Sequence, residues 1–255
     1  MRAGGGMSRV SRTEGQELLA APERGTAVSA AVLALTVVVL ALTAAVFAAV
    51  ADHGLLAHIQ RLDDAWLRLM ISGRSAPVTA VAKVLNVLGL VYVTLPVRIG
   101  IAGFLALRRR WWQLAAFAGA VVLSEILIGA LKGIYDRARP PGALVTTSGA
   151  SFPSGHSIAA SVTVVAAVIA LVPPGRQRVA WGAVAAGFSV LMGLSRAYLG
   201  AHWLSDAVAG ILLGTSCALL AALVVSRLQR RQSAPRPGRS ARPSVPDTVR
   251  PADRL

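Results

Sequence analysis

The stretch GTAVSAAVLALTVVVLALTAAVFAAVA, residues 25–51, carries no charged side chain. A helix rises 1.5 Å per residue, so this run can cross the roughly 30 Å hydrocarbon core of a bilayer. A cleaved signal peptide has a shorter apolar region and a shorter polar lead than residues 1–24 supply. A retained membrane helix is the better reading, and the rest of the chain follows suit. Of 255 residues, 55% are hydrophobic and 15% charged, against roughly 25% charged in an average soluble domain. A soluble enzyme would lack the charge to cover its surface, and a disordered chain would lack this much apolar content. The apolar residues are mostly Ala, Val, Leu, Ile and Gly, with aromatics at 5%, a composition that lets membrane helices approach backbone to backbone.

Working outward, five further apolar runs read as spans: residues 86–107, interrupted by Pro96 and Arg98, then 112–131 with Glu125, 157–172, 179–195 and 207–226. Residues 52–85 mix charges with apolar positions and predict an amphipathic helix around 60–71 and a short one after Pro77, both at the interface. The expected fold is all-α, a polytopic integral membrane bundle of six transmembrane helices over residues 28–226. A disordered basic arm, 1–27, precedes it, and a disordered Arg/Pro-rich tail, 227–255, follows. Ionisable groups inside spans are costly, so Arg98 and Glu125, at neighbouring depths in spans two and three, are expected to form a structural ion pair. Cys217, the lone cysteine, reads as a packing residue.

Six spans place both termini on one side. That side holds seventeen of the 26 Lys and Arg residues, and the opposite side holds eight. The excess marks the terminal side as cytoplasmic. The net charge of +15 is therefore ascribed to topology and to membrane lipids, with no nucleic acid as partner.

The opposite, extracytoplasmic face gathers an unusual set of residues. Lys132 closes span three, and Arg139-Pro140 follows in the next loop. Pro153-Ser154-Gly155-His156 opens span four, Ser195-Arg196 closes span five, and His202 with Asp206 opens span six. Two arginines can fork onto phosphoryl oxygens while a lysine adds a point charge. Ser154 and Gly155 precede a helix, so their backbone N–H groups face outward at its positive end. His202 and Asp206 are four apart and share a helix face. A carboxylate there can accept the imidazole N–H, fix the tautomer and leave the other nitrogen as a nucleophile. His156, from another helix, can move a proton on the far side of the phosphorus.

Lys132-x6-Arg139-Pro140, Pro153-Ser154-Gly155-His156 and Ser195-Arg196-x5-His202-x3-Asp206 resemble, in order, the three motifs of the type 2 phosphatidic acid phosphatase family, whose pocket also occurs in vanadium-dependent haloperoxidases. The resemblance covers about residues 28–226. It implies that Lys132, Arg139 and Arg196, helped by Ser154 and Gly155, bind the phosphoryl group. His202 would be the nucleophile forming a phosphohistidine, Asp206 its orienting partner, and His156 the acid and then base. Neither metal nor other cofactor is implied. The implied activity is hydrolysis of a lipid phosphate or pyrophosphate, such as polyprenyl pyrophosphate, phosphatidic acid or phosphatidylglycerol phosphate. The alternative is a lipid phosphotransferase using the same phosphohistidine with an alcohol acceptor. A transporter or scaffold with a fossil site is disfavoured by the intact motifs, and halide oxidation by the missing large soluble domain. His53 and His58 read as exposed interfacial residues. Trp111, Trp112, Tyr198 and Trp203 read as interface aromatics, the last two also as candidates to border a lipid entry.

Overall fold

The computed structural model describes residues 10–233, with side chains from 30 to 232. It contains eight helices and, among the described residues, no strand: α1 Val10–Ala51, α2 His53–Ser72, α3 Ala76–Leu88, α4 Val91–Leu107, α5 Trp111–Tyr135, α6 Gly155–Leu171, α7 Arg176–Tyr198 and α8 Leu204–Ser233. Four are long and apolar enough to cross a membrane: Ala30–Ala51 of α1, α5, α7 and Leu204–Gln232 of α8. The pair α3 and α4 passes the same test together but bends by 54° at its break, and α6 is apolar but shorter. Large side chains such as Leu35, Val37, Ile99, Val122, Ile126, Trp181 and Val184 are exposed on the outer faces. So extended an apolar surface on span-length helices suits a hydrocarbon surrounding. The molecule is a multi-pass membrane protein.

Three expectations need correction. Helix α1 begins at Val10, inside the stretch expected to be a disordered arm. Residues 14–21, EGQELLAA, are mostly good helix formers, and extending an existing helix costs little once the apolar run has nucleated it. For the same reason α8 runs to Ser233, past the expected tail boundary. Residues 1–9 and 234–255 of the arm and tail lie outside the described residues. The second span, expected over 86–107 with interruptions at Pro96 and Arg98, breaks elsewhere: Asn86 belongs to α3, Leu90 is extended with ψ 151°, and α4 starts afresh at Val91 and runs through Pro96.

Helix α6 is the centre of the molecule, packed against α5, α7 and α8. Its side chains from Ser157 to Thr163 are all buried. Leu105, Phe117, Ile158, Val162, Leu213 and Cys217 form the main core around it. Close approach is made by glycine. A Cβ on Gly210 would lie 2.7 Å from the Ser154 carbonyl oxygen, and one on Gly214 would lie 2.6 Å from that of Ile158. With no cohesion to be had from burying grease in grease, such backbone contact is what holds membrane helices together. The Arg98–Glu125 pair is present at 2.7 Å, and Arg98 Nε also donates to Thr163 Oγ1 at 2.9 Å, tying α4, α5 and α6.

Helix α2 is capped by Asp52, whose carboxylate accepts from Leu55 N at 2.9 Å. Leu56 and Ile59 pack inward as in any amphipathic helix, but Leu55, Leu62 and Leu69 are exposed while Asp63, 2% exposed, faces the other helices. This helix extends well beyond the 60–71 expected for it.

Candidate active site

The ends of α5, α6, α7 and α8, with the loop 136–154, converge where the motifs predict. His202 lies between α7 and α8 and is 3% exposed. Its Nε2 is 3.2 Å from Arg139 Nη1, which makes Nε2 the acceptor and leaves the ring proton on Nδ1. Nδ1 faces Asp206 Oδ2 at 3.5 Å, longer than a closed hydrogen bond. Asp206, fully buried, is itself well held. Its Oδ2 accepts from Ser151 Oγ and from Trp203 N at 2.9 Å, and its Oδ1 accepts from Arg137 Nη1 at 2.8 Å. Burial pushes the His202 imidazole down to about 4; Asp206 opposes this, and Arg139 and Arg196 add to it. The ring is therefore neutral at pH 7, the state a nucleophile requires.

The cations surround this ring. All five N–H groups of Arg139 are engaged: with the carbonyls of Gly149, Ala201, Ser148 and Ala150 at 2.7 to 3.2 Å, and with His202. Burial lowers the pKa of this guanidinium, and Asp206 raises it in part. Lys132 Nζ donates to the same Ala150 oxygen at 2.7 Å, which sets lysine and arginine side by side. Arg196 is 3% exposed; Nη1 bonds Asn86 Oδ1, and Nε is buried with no acceptor. A buried donor without a partner costs about 1–3 kcal/mol, so that N–H is a place for an anionic oxygen.

His156 approaches from α6, with Nε2 3.2 Å from the Asn86 carbonyl. It lies within electrostatic range of Arg196, His202 and Arg139. Its ring rests on Gly89, where the α3–α4 pair breaks, and a Cβ there would meet Cγ at 3.0 Å. Glycine at this corner makes room for the imidazole. Gly155 is the first residue of α6, so its N–H is one of the helix's unpaired initial donors. Ser154 behaves differently from expectation. Its N–H is taken by the Asp206 carbonyl at 3.1 Å and its hydroxyl caps α6 through Ser157, so neither faces the pocket as an open donor.

Sequence reasoning missed three participants. Asn86 bridges Arg196 and His156 from the end of α3. Arg137 lies two residues before Arg139 and binds Asp206. Asp63, from α2, binds Arg137 at 2.8 Å. Tyr198 and Trp203 are not interface aromatics but buried: Tyr198 Oη contacts Thr79 Oγ1 at 2.9 Å, and Trp203 Nε1 donates to the Ala138 carbonyl at 2.8 Å. Among the described residues no three His, Cys, Asp or Glu side chains are grouped to hold a metal ion.

The PAP2 superfamily model matches residues 113–230, a segment running from α5 to α8 that includes all three motifs. That match covers a little under half of the chain. The chain is 37% identical over 127 residues to the lipid A 1-phosphatase of Rhizobium johnstonii, an alignment covering 46% of this chain and 49% of that protein. The chain thus spans about half the length of that relative. To phosphatidylglycerophosphatase B of Bacillus subtilis it is 29% identical over 161 residues, covering 61% and 79%. Among solved structures, the transmembrane PAP2-type phosphatidylglycerolphosphate phosphatase of Bacillus subtilis matches with a TM-score of 0.64 at 26% identity, covering 77% of this chain and 96% of that one. Aquifex aeolicus LpxE matches in fold, with a TM-score of 0.51 at 24% identity over 61% and 91% of the two chains.

Proposed function

We propose that this protein is a membrane-embedded phosphatase that hydrolyses a lipid phosphate or pyrophosphate through a phosphohistidine on His202. The observation that carries the reading is a neutral imidazole 3.2 Å from an arginine N–H, with a carboxylate behind its other nitrogen. A phosphoryl group entering between Arg139 and His202 trades that contact for N–H···O bonds to its own oxygens. Arg196 Nε, Lys132 and the Gly155 N–H supply further positive ends. His202 Nε2 then attacks phosphorus and the bond to the leaving oxygen breaks, with His156 giving that oxygen a proton. In the second step water attacks phosphorus, His156 takes its proton, and the N–P bond breaks to release phosphate. The cations already offset the phosphoryl charge, so no metal enters the scheme.

Offered phosphatidic acid, phosphatidylglycerol phosphate and polyprenyl pyrophosphate, the purified protein should release phosphate from at least one of them. Release should survive EDTA and be inhibited by vanadate. Loss with EDTA and recovery with Mg²⁺ would remove the metal-free mechanism, and no release from any of the three would remove the phosphatase reading. Turnover only when an alcohol acceptor is added would favour the phosphotransferase instead.

The membrane arrangement belongs to the same proposal. Six crossings follow if α3 and α4 together make one bent crossing and α6, sheltered by its neighbours, makes another. The arginine excess then puts the termini in the cytoplasm and the pocket on the outer face. A reporter fused after Ser226 should read as cytoplasmic and one inserted near Thr147 as external. The reverse pattern would overturn both the orientation and an outer-leaflet substrate.

A further inference from the structure

We propose that Asp63, on helix α2, is a positioning residue for the reaction at His202, acting through Arg137 and Asp206. The path is short and buried. The Arg137 side chain is 8% exposed and sits between two carboxylates. On one side Nη1 donates to Asp206 Oδ1 at 2.8 Å and to Ser205 Oγ at 2.7 Å. On the other, Nη2 donates to Asp63 Oδ2 at 2.8 Å and to Gln60 Oε1 at 2.7 Å. Asp63 also accepts from Ser205 N at 2.9 Å and Ser205 Oγ at 2.6 Å, which fixes the first turn of α8 beside Asp206. Trp203 stacks under the guanidinium at 5.6 Å.

Charge explains why the second carboxylate is needed. His202 faces Arg139 from the loop, Arg196 from α7 and His156 from α6, with Asp206 of α8 as the carboxylate beside its ring and Lys132 of α5 next to Arg139. Arg74, after α2, approaches the neighbouring Gly200. Attack turns the imidazole into a cationic phosphoimidazolium, which this cation-rich pocket resists. Arg137 clamps Asp206 at the correct angle, but alone it would also cancel much of that carboxylate's charge. Asp63 neutralises Arg137 from behind, so the clamp stays while the negative charge of Asp206 remains available to His202. In a buried site such compensation is strong, and removing one member leaves its partner's charge exposed to the others. The inference rests on the proposed chemistry at His202, but its test does not depend on turnover.

Asp63→Asn keeps the shape and can still accept from Ser205, while Arg137→Gln removes the intervening charge. The chain has four histidines, so ¹⁵N-histidine NMR in nanodiscs can follow His202, with His53 and His58 as controls. Asp63→Asn should move the His202 titration to lower pH by about one unit, and Arg137→Gln should move it upward. The double variant should return it toward the wild-type position. Against a short-chain phosphatidic acid, Asp63→Asn should lower kcat roughly 10–100-fold with KM within about twofold, and Asp63→Glu should recover part of the loss. A purely structural role would instead scale activity with the folded fraction and leave the titration in place. An unmoved His202 titration in folded single variants would overturn the proposal. If Asp63→Asn does not fold, Arg137→Gln alone decides, by the sign of its shift. A titration that moves as expected in a protein that hydrolyses no lipid phosphate would keep this network and sink the phosphatase reading.

Discussion

His202→Ala should abolish turnover, by at least about 10⁴-fold, and should leave no labelled protein after acid quench with a radioactive phosphate substrate. The variant removes the one atom placed to bond to phosphorus, Nε2, and nothing else near Arg139 can replace it. His156→Ala should behave differently. It loses the group that protonates the leaving oxygen and later activates water, yet the nucleophile and its carboxylate remain. With a good leaving group, such as an aryl phosphate, it should phosphorylate slowly and hydrolyse more slowly still, so label accumulates. Label on His156→Ala and none on His202→Ala is the expected pattern. The opposite pattern would exchange the two roles, and label on neither under any condition would indicate direct attack by water. The pH dependence is a second check. Because burial holds His202 down at about 4, the acid limb of kcat/KM should lie near there and not near 6.5, the ordinary histidine value. Asp206→Asn should cost about 10²–10⁴ in rate through loss of tautomer control.

The largest stability effect is expected at an uncharged backbone contact, Gly214→Val. A side chain there meets the Ile158 carbonyl oxygen at 2.6 Å and Val162 N at 3.0 Å, and both are backbone atoms of the central helix. No rotamer change relieves that clash, so α6 and α8 must move apart. Overpacking of this kind costs about 3 kcal/mol, and the separation would also pull His156 from His202. Thermal unfolding in detergent should fall by several degrees, and activity should drop even at temperatures where the variant is folded. Gly100→Ala on α4, where a Cβ meets nothing within 4 Å, is the control and should change neither. Equal behaviour of the two variants would show that the α6–α8 contact is softer than its geometry implies.

What the sequence made legible was the chemistry carried by unusual residues at helix ends. Lys132, Arg139, Arg196, His156, His202 and Asp206 stand out because a membrane span has no ordinary use for them at those positions. The Arg98–Glu125 pair was legible for the same reason. Asp63 was not, because α2 was read as an interfacial helix with no partner inside the bundle for its acids. Leu55, Leu62 and Leu69 recur every seven residues, and a soluble protein would turn that stripe inward and Asp63 outward. With an apolar surrounding the preference reverses. Arg137 was hidden by proximity, since one arginine of an Asp-Arg-Ala-Arg run had already been given a role. The break at Gly89 was missed because hydropathy is blind to bends: both sides of the corner are equally apolar. The Ser154 amide was misread because its partner, the Asp206 carbonyl, is set by tertiary contact and not by local sequence.

Helix α2 has a consequence for how this pocket can be handled. Leu55, Leu62 and Leu69 point outward and Asp63 points toward Arg137, so one short helix joins the surrounding solvent to the carboxylate pair. No soluble core can be trimmed out around the motif residues, because one wall of the charge arrangement is kept in place by an oily exterior. Redesign for work in water would have to repaint Leu55, Leu62 and Leu69 while preserving the inward set of Asp63, and an engineer who treated α2 as dispensable packaging would be discarding part of the reagent.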